Sequence, residues 1–486
     1  MRDPSTALRP DPDRVPSASA RARVGIIGGG PGGYEAALTA ARLGADVTLI
    51  EDRGIGGAAV LTDVVPSKSL IATAEVLDLV GESGTLGIRD ADSAGAPGSG
   101  TLTVDLAATN SRVRRLAAAQ SADIRSGLEE AGVRVLDGRG RLAGPQRIEV
   151  IDAAGTVTDT VSADVGLIAV GGRPRELPGS PPDGKRILTW TQLYELSELP
   201  EHLVVVGSGV TGAEFASAYR ALGSEVTLVS SRDQVLPGTD RDAAQVLERA
   251  FSRRGITLRS RSRAASARVE GDRVRVALED GGEVVGSHLL VAVGAVPSTD
   301  GLGLEGAHVR LKPSGHIDTD RVSRTSVRGL YAAGDCTGVY PLASVAAAQG
   351  RTAIYHALGE AVSPLIAPNV ASAVFTSPEI ATVGYSAQDV ADGVVDGTVL
   401  MLPLATNPRA KMQGIREGFV KLIVQPGAHT VLGGVVTGPR ASELIHPITL
   451  AVSHRLTAEE VSNALTVYPS LSGSIAEAAR QIPTER

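Results

Sequence analysis

The chain has 486 residues, a net charge of −7, 57 glycines and a single cysteine. One thiol excludes an intramolecular disulfide or dithiol pair, a cysteine-built zinc site, and an iron–sulfur cluster held wholly by this chain's cysteines. With 43% hydrophobic and 21% charged residues, the composition is that of a globular protein, and the length suggests about three domains.

The acidic balance and the lack of long Lys/Arg runs argue against nucleic acid as a partner. No apolar run approaches the ~18 residues of a membrane span, and the N-terminus does not resemble a signal peptide. The expected location is the cytoplasm, with no membrane span. His446 and His454 lack spaced acidic or cysteine partners, so no metal site is expected.

In chain order, residues 1–21 are rich in Pro, Ser, Asp and Arg and read as a disordered tail. An apolar strand, Val24–Ile27, then runs into Gly28-x-Gly30-x-x-Gly33, a helical pattern, and a second strand ending at Glu51. Glycines at this spacing allow a tight turn, close approach of backbone to a pyrophosphate at a helix N-terminus, and close helix–strand packing, while the acid accepts from a ribose hydroxyl. Ser93–Gly100 (SAGAPGSG) has the composition of a surface loop.

Residues 23–53 recur without a gap at 202–232, where Gly207-x-Gly209-x-x-Gly212 repeats the turn. Two such units imply two nucleotide ligands. In the second copy Ser230 replaces Glu51, followed by Ser231 and Arg232. Loss of the carboxylate removes repulsion against a ribose 2′-phosphate that an arginine and two hydroxyls could bind. That points to NADPH or to use of both NADPH and NADH; a solvated loop charge at Arg232 is the alternative.

These paired motifs resemble those of the pyridine nucleotide–disulfide oxidoreductases, the family of lipoamide dehydrogenase and glutathione reductase. The resemblance extends through Gly56-Gly57 to Pro66-Ser67-Lys68, the Ala169–Pro174 turn, Leu188–Gly209, Thr325 to Asp335, and the C-terminal stretches Val374–Gly384 and Gly434–Ile445. It implies an α/β fold with two Rossmann-like dinucleotide-binding domains and a C-terminal α+β dimerisation domain. The implied segments are an FAD-binding part at 22–170, an NAD(P)-binding domain at 171–295, a return to the flavin at 296–366 and an interface domain at 367–486. FAD would occupy the first copy, contacted by Gly57, Ala59 and Asp335, and a nicotinamide the second, where Val210 stands at a gating position. A homodimer is implied, and the sequence does not distinguish it from a tetramer.

By the same resemblance, Lys68 sits beside the flavin ring and pairs with Glu214, and the helix opening near Ala343 points its N-terminus at the ring. Both would favour negative charge on the reduced flavin. Cys336, directly after Asp335, reads as a buried inert thiol.

The departures from the family pattern are equally specific. Its two redox cysteines would fall at Ala59 and Val64, and its C-terminal His and Glu at Tyr468 and Gly473. Neither Ala nor Val forms a thiolate. The expected activity is therefore hydride transfer from NAD(P)H to FAD and delivery of electrons directly to a quinone-type acceptor, with Tyr468 a candidate proton donor. Within the family the chain resembles the lipoamide-dehydrogenase-like quinone reductases that lack the cysteine pair. A dihydrolipoamide dehydrogenase and a non-catalytic redox-sensing flavoprotein are the alternatives.

Overall fold

The computed structural model describes residues 21–88 and 102–482. Most of the expected N-terminal tail and the Ser93–Gly100 loop lie outside these. The chain divides into two compact units, one formed by residues up to 66, 114–173 and 295–365, the other by 67–113, 174–294 and the residues from 366 on.

The first unit is built on a five-stranded parallel sheet in the order Leu330–Ala332, Val165–Ile168, Arg23–Ile27, Asp46–Glu51, Arg134–Asp137. The central strands are short apolar runs, buried on both faces as parallel strands must be. The chain reverses its direction of travel across the sheet at Arg23–Ile27, so the glycine turn that follows lies at a topological switch point, where open α/β sheets bind ligands.

Helix Pro31–Arg42 packs its Ala36, Ala37 and Ala40 face on the sheet and crosses helix Ala343–Ala357 at very short range. At that crossing, a Cβ on Gly350 would lie 2.1 Å from the Gly32 carbonyl oxygen. An Arg351–Glu35 ion pair of 3.0 Å ties the same two helices.

The second unit contains two sheets that position functional side chains. A parallel sheet runs Thr257–Arg259, Glu225–Val229, His202–Val206, His288–Val291, Ile187–Thr189. An antiparallel sheet runs Ser372–Val374, Glu379–Gly384, Val431–Gly438, Phe419–Val424, Thr398–Pro403, covered by helix Ala441–His454.

Residues 67–113 group with the second unit. Leu70, Ile71, Leu106 and Val113 share a buried cluster with Leu188, Trp190, Phe215 and Tyr219 of the second unit. The apolar burial of these side chains, which leaves no local mark in the sequence, decides the grouping.

Candidate functional site

The duplicated segments fold alike. Strand Arg23–Ile27, helix Pro31–Arg42 and strand Asp46–Glu51 in the first unit are matched by His202–Val206, Val210–Leu222 and Glu225–Val229 in the second. Gly28 and Gly207 take φ of +104° and +112°, and a Cβ at either would lie 2.4 or 2.1 Å from the carbonyl oxygen of Ala169 or Ala292. Gly33 and Gly212 bring helix against turn so closely that a Cβ would fall 1.8 Å from the Gly28 or Gly207 oxygen. Gly30 and Gly209 cap their helices with extended backbone and no side chain, which leaves the first-turn N–H groups open to an anion.

In the first unit the Glu51 carboxylate accepts from the Gly29 N–H at 2.6 Å and the Arg53 N–H at 2.7 Å. Burial pushes its pKa up, and the two backbone bonds oppose that rise. Each oxygen keeps a lone pair for a ribose hydroxyl. Gly57 opens the short helix Gly57–Leu61, which carries Ala59, and a Cβ on Gly57 would come within 2.8 Å of the Gly30 Cα. Val64, 37% exposed, begins the next helix, Val64–Glu82.

Asp335 starts a one-turn helix after Gly334, and burial pushes its carboxyl up from the ordinary range. Gln349, which the sequence reading did not single out, organises this turn. Its Oε1 accepts from the Gly334 N–H at 2.8 Å, and its amide nitrogen donates to the Thr337 hydroxyl at 3.4 Å. Gln349 belongs to helix Ala343–Ala357, so the helix opening at Ala343 also supports the Asp335 turn. A glutamine inside a helical pattern gives no local sign of such a contact.

Cys336 is fully buried and donates to the Ala333 carbonyl at 3.2 Å. Burial raises its pKa to about 12, so it is neither a nucleophile nor a redox thiol at neutral pH.

The donor set of this unit fits a dinucleotide such as FAD. The helix N-terminus can take the pyrophosphate, Glu51 the ribose and Asp335 a further hydroxyl, around a turn that a Cβ on Gly28 or Gly33 would obstruct.

In the second unit the Lys68 ammonium donates to Glu214 Oε2 at 2.8 Å. Glu214 is buried on helix Val210–Leu222, and its other oxygen accepts from the Phe375 N–H at 2.9 Å. The same ammonium lies 4.9 Å from the centroid of the Phe375 ring. Phe375, on the strand-to-loop segment after Val374, thus completes a constellation of which the sequence motifs revealed only Lys68 and Glu214.

The end of the second copy differs from the first. Ser208 replaces Gly29, and its hydroxyl pairs with that of Ser230 at 2.7 Å. Ser230 also donates to the Arg232 carbonyl and accepts from the Arg232 N–H. With its side chain 2% exposed, Ser230 is committed to shaping the turn. Ser231 and Arg232, by contrast, are exposed. Val210, at the first position of its helix, is 47% exposed.

Tyr468, 80% exposed, lies in a segment pinned through Asn407, whose amide nitrogen donates to the Ser470 carbonyl and the Ser474 hydroxyl. Gly473 begins the following helix. Among the described residues no group of three or more His, Cys, Asp or Glu side chains is arranged to hold a metal ion. No described helix is long and apolar enough to cross a membrane.

Comparison with known proteins adds to this geometry. A family model described as pyridine nucleotide-disulphide oxidoreductase matches residues 22–350, and the dimerisation-domain model of that family matches 370–479. The chain is 51% identical over 470 residues to an NAD(P)H dehydrogenase (quinone) of Mycobacterium tuberculosis, covering 95% of this chain and 94% of the relative. It is 34% identical over 467 residues to a dihydrolipoyl dehydrogenase of Chlorobaculum parvum, covering 95% and 97%. The crystal structure of LpdA from Mycobacterium tuberculosis, 50% identical, matches with a TM-score of 0.89 over 95% of this chain and all of that one.

Proposed function

Because the chain belongs to the pyridine nucleotide-disulphide oxidoreductase family, whose members use FAD and NAD(P)H, we propose that it is an NAD(P)H-dependent quinone reductase that works without a redox disulfide. The observation that carries this reading is the single cysteine. It is buried behind Asp335, while Ala59 and Val64 occupy the positions where the family resemblance places the sulfurs. The name of the Mycobacterium tuberculosis relative supports the acceptor class. A quinone is flat and accepts electrons without a thiol relay.

In this reading FAD, when bound, would supply the capacity to accept a hydride from NAD(P)H and to give up its electrons. The chain's residues bind and orient the reactants. Gly28, Gly30, Gly33 and Glu51 hold one nucleotide, with Gly57, Ala59, Asp335 and the helix opening at Ala343. Gly207, Gly209, Gly212 and Val210 receive the nicotinamide nucleotide, whose ribose end meets Ser231 and Arg232. Lys68, held by Glu214, supplies a fixed positive charge that favours the reduced flavin. Tyr468 is the candidate proton donor. The working form is a homodimer formed through the interface domain at 367–486, located in the cytoplasm; the FAD-binding part is 22–170 with its return at 296–366, and the NAD(P)-binding domain is 171–295.

Anaerobic mixing of the FAD-loaded protein first with NADPH or NADH and then with a panel of quinones tests the proposal. Bleaching of the flavin followed by its rapid reoxidation by quinone is expected. Failure of both nucleotides to bleach it, or turnover of dihydrolipoamide in place of quinone, would contradict it.

A further inference from the structure

We propose that Arg259 and Arg261, together with Arg232, form a 2′-phosphate site that makes NADPH the preferred nucleotide. The proposal rests on the nicotinamide assignment of the second glycine turn and deepens it.

The ribose end of that site is marked by the first copy. Glu51 ends the second strand of its unit, and Ser230 stands at the same place in the second unit. The neighbouring strand, Thr257–Arg259, lies parallel to Glu225–Val229 with Arg259 opposite Val229. The pairing continues past the ends of both strands. Ser230 N–H donates to the Arg259 carbonyl, Ser262 N–H to the Ser230 carbonyl, and Arg261 N–H to the Arg232 carbonyl, each at 2.8 Å. Two loops are thereby laid side by side, with Arg232 paired to Arg261 and Arg259 adjoining Ser230.

All three arginines are exposed, and none of their guanidinium groups has a hydrogen-bond or ion-pair partner among the described residues. Arg263, on the same loop, differs, since its Nε lies 3.4 Å from Glu279. The acid nearest in sequence is Asp233, also exposed. Arg261 is held at φ of +54°, a conformation that a non-glycine side chain adopts at some cost and that recurs at ligand sites.

Three exposed arginines on adjoining loops, beside the place where the first copy has an acid, offer cationic groups that an anion can join. The ligand feature that differs at this end of the two coenzymes is the 2′-phosphate, a near-dianion suited to guanidinium recognition. The neutral 2′-hydroxyl of NADH gains nothing comparable. Ser230 contributes by being uncharged and occupied by Ser208, which removes an acid from the phosphate's surroundings.

Calorimetric titration of the FAD-loaded protein with 2′,5′-ADP and with 5′-AMP tests the site independently of any electron acceptor. The phosphate-bearing probe is expected to bind at least about tenfold more tightly, an advantage that shrinks with added salt. Arg259→Ala and Arg261→Ala should each reduce that ratio by about fivefold or more, and lysine at either position should recover part of it. Equal binding of the two probes overturns the proposal, and so does a ratio within about twofold of the parent in either alanine variant. Absence of quinone turnover with the ratio intact would count against the quinone reading alone.

Discussion

Lys68 and Glu214 are 146 residues apart and meet at 2.8 Å, with Phe375 closing the group from a third segment. Each partner limits the freedom of the others, so Glu214→Gln should slow the bleaching of the flavin by NADPH by about tenfold or more, read by stopped-flow absorbance. A rate equal to the parent's would remove the role assigned to the pair.

Asp164 shows a simpler electrostatic effect. The hydrogen bond from Arg23, with its charge, holds this carboxyl below its ordinary value of 3.8. The unfolded chain therefore takes up the proton first. The stabilisation is complete above the unfolded value and disappears as pH falls through the folded one. Asp164→Asn should lower the melting temperature at neutral pH, and in thermal melts the difference should close as pH falls through the lowered folded value of Asp164. Lys68 and Glu214 were legible because both lie in recognisable motifs. Gln349 and Asn407 were not, because their contacts are made across the fold by residues with no distinguishing neighbours, and Phe375, although inside the Val374–Gly384 stretch, carried no sign of the contact it makes.

At the scale of elements, the duplicated strand–turn–helix–strand was the most legible feature, since a turn whose first and third glycines have no room for a Cβ leaves them at fixed spacing. What the alignment did not reveal is that Ser208, which replaces Gly29, pairs its hydroxyl with that of Ser230. One other contact between elements was invisible in the sequence. Lys421, 1% exposed on strand Phe419–Val424, donates to both oxygens of Asp240 and to Asp242 at the start of helix Arg241–Arg253. Asp240 also caps that helix through the Asp242 and Ala243 N–H groups. Removing the cation leaves buried negative charge, so Lys421→Ala should cost about 3–5 kcal/mol in urea unfolding. Combining Lys421→Met with Asp240→Asn should recover much of that loss. An alanine variant as stable as the parent would show that solvent already reaches the group.

At the scale of the whole molecule, the chain crosses between its two compact units at 66/67, 113/114, 173/174, 294/295 and 365/366. The allocation of 67–113 was not legible, because it follows from a shared core and not from a linker. The proposed electron route is also a property of the whole chain, since it depends on what no part of it contains. The one thiol, Cys336, is buried with a pKa near 12.

The most direct test is therefore NADPH-driven quinone reduction by a chain with no thiol at all, the FAD-loaded Cys336→Ala protein. The account predicts a turnover number close to the parent's. Loss of quinone reduction in a variant that retains its FAD and its bleaching by NADPH would contradict it.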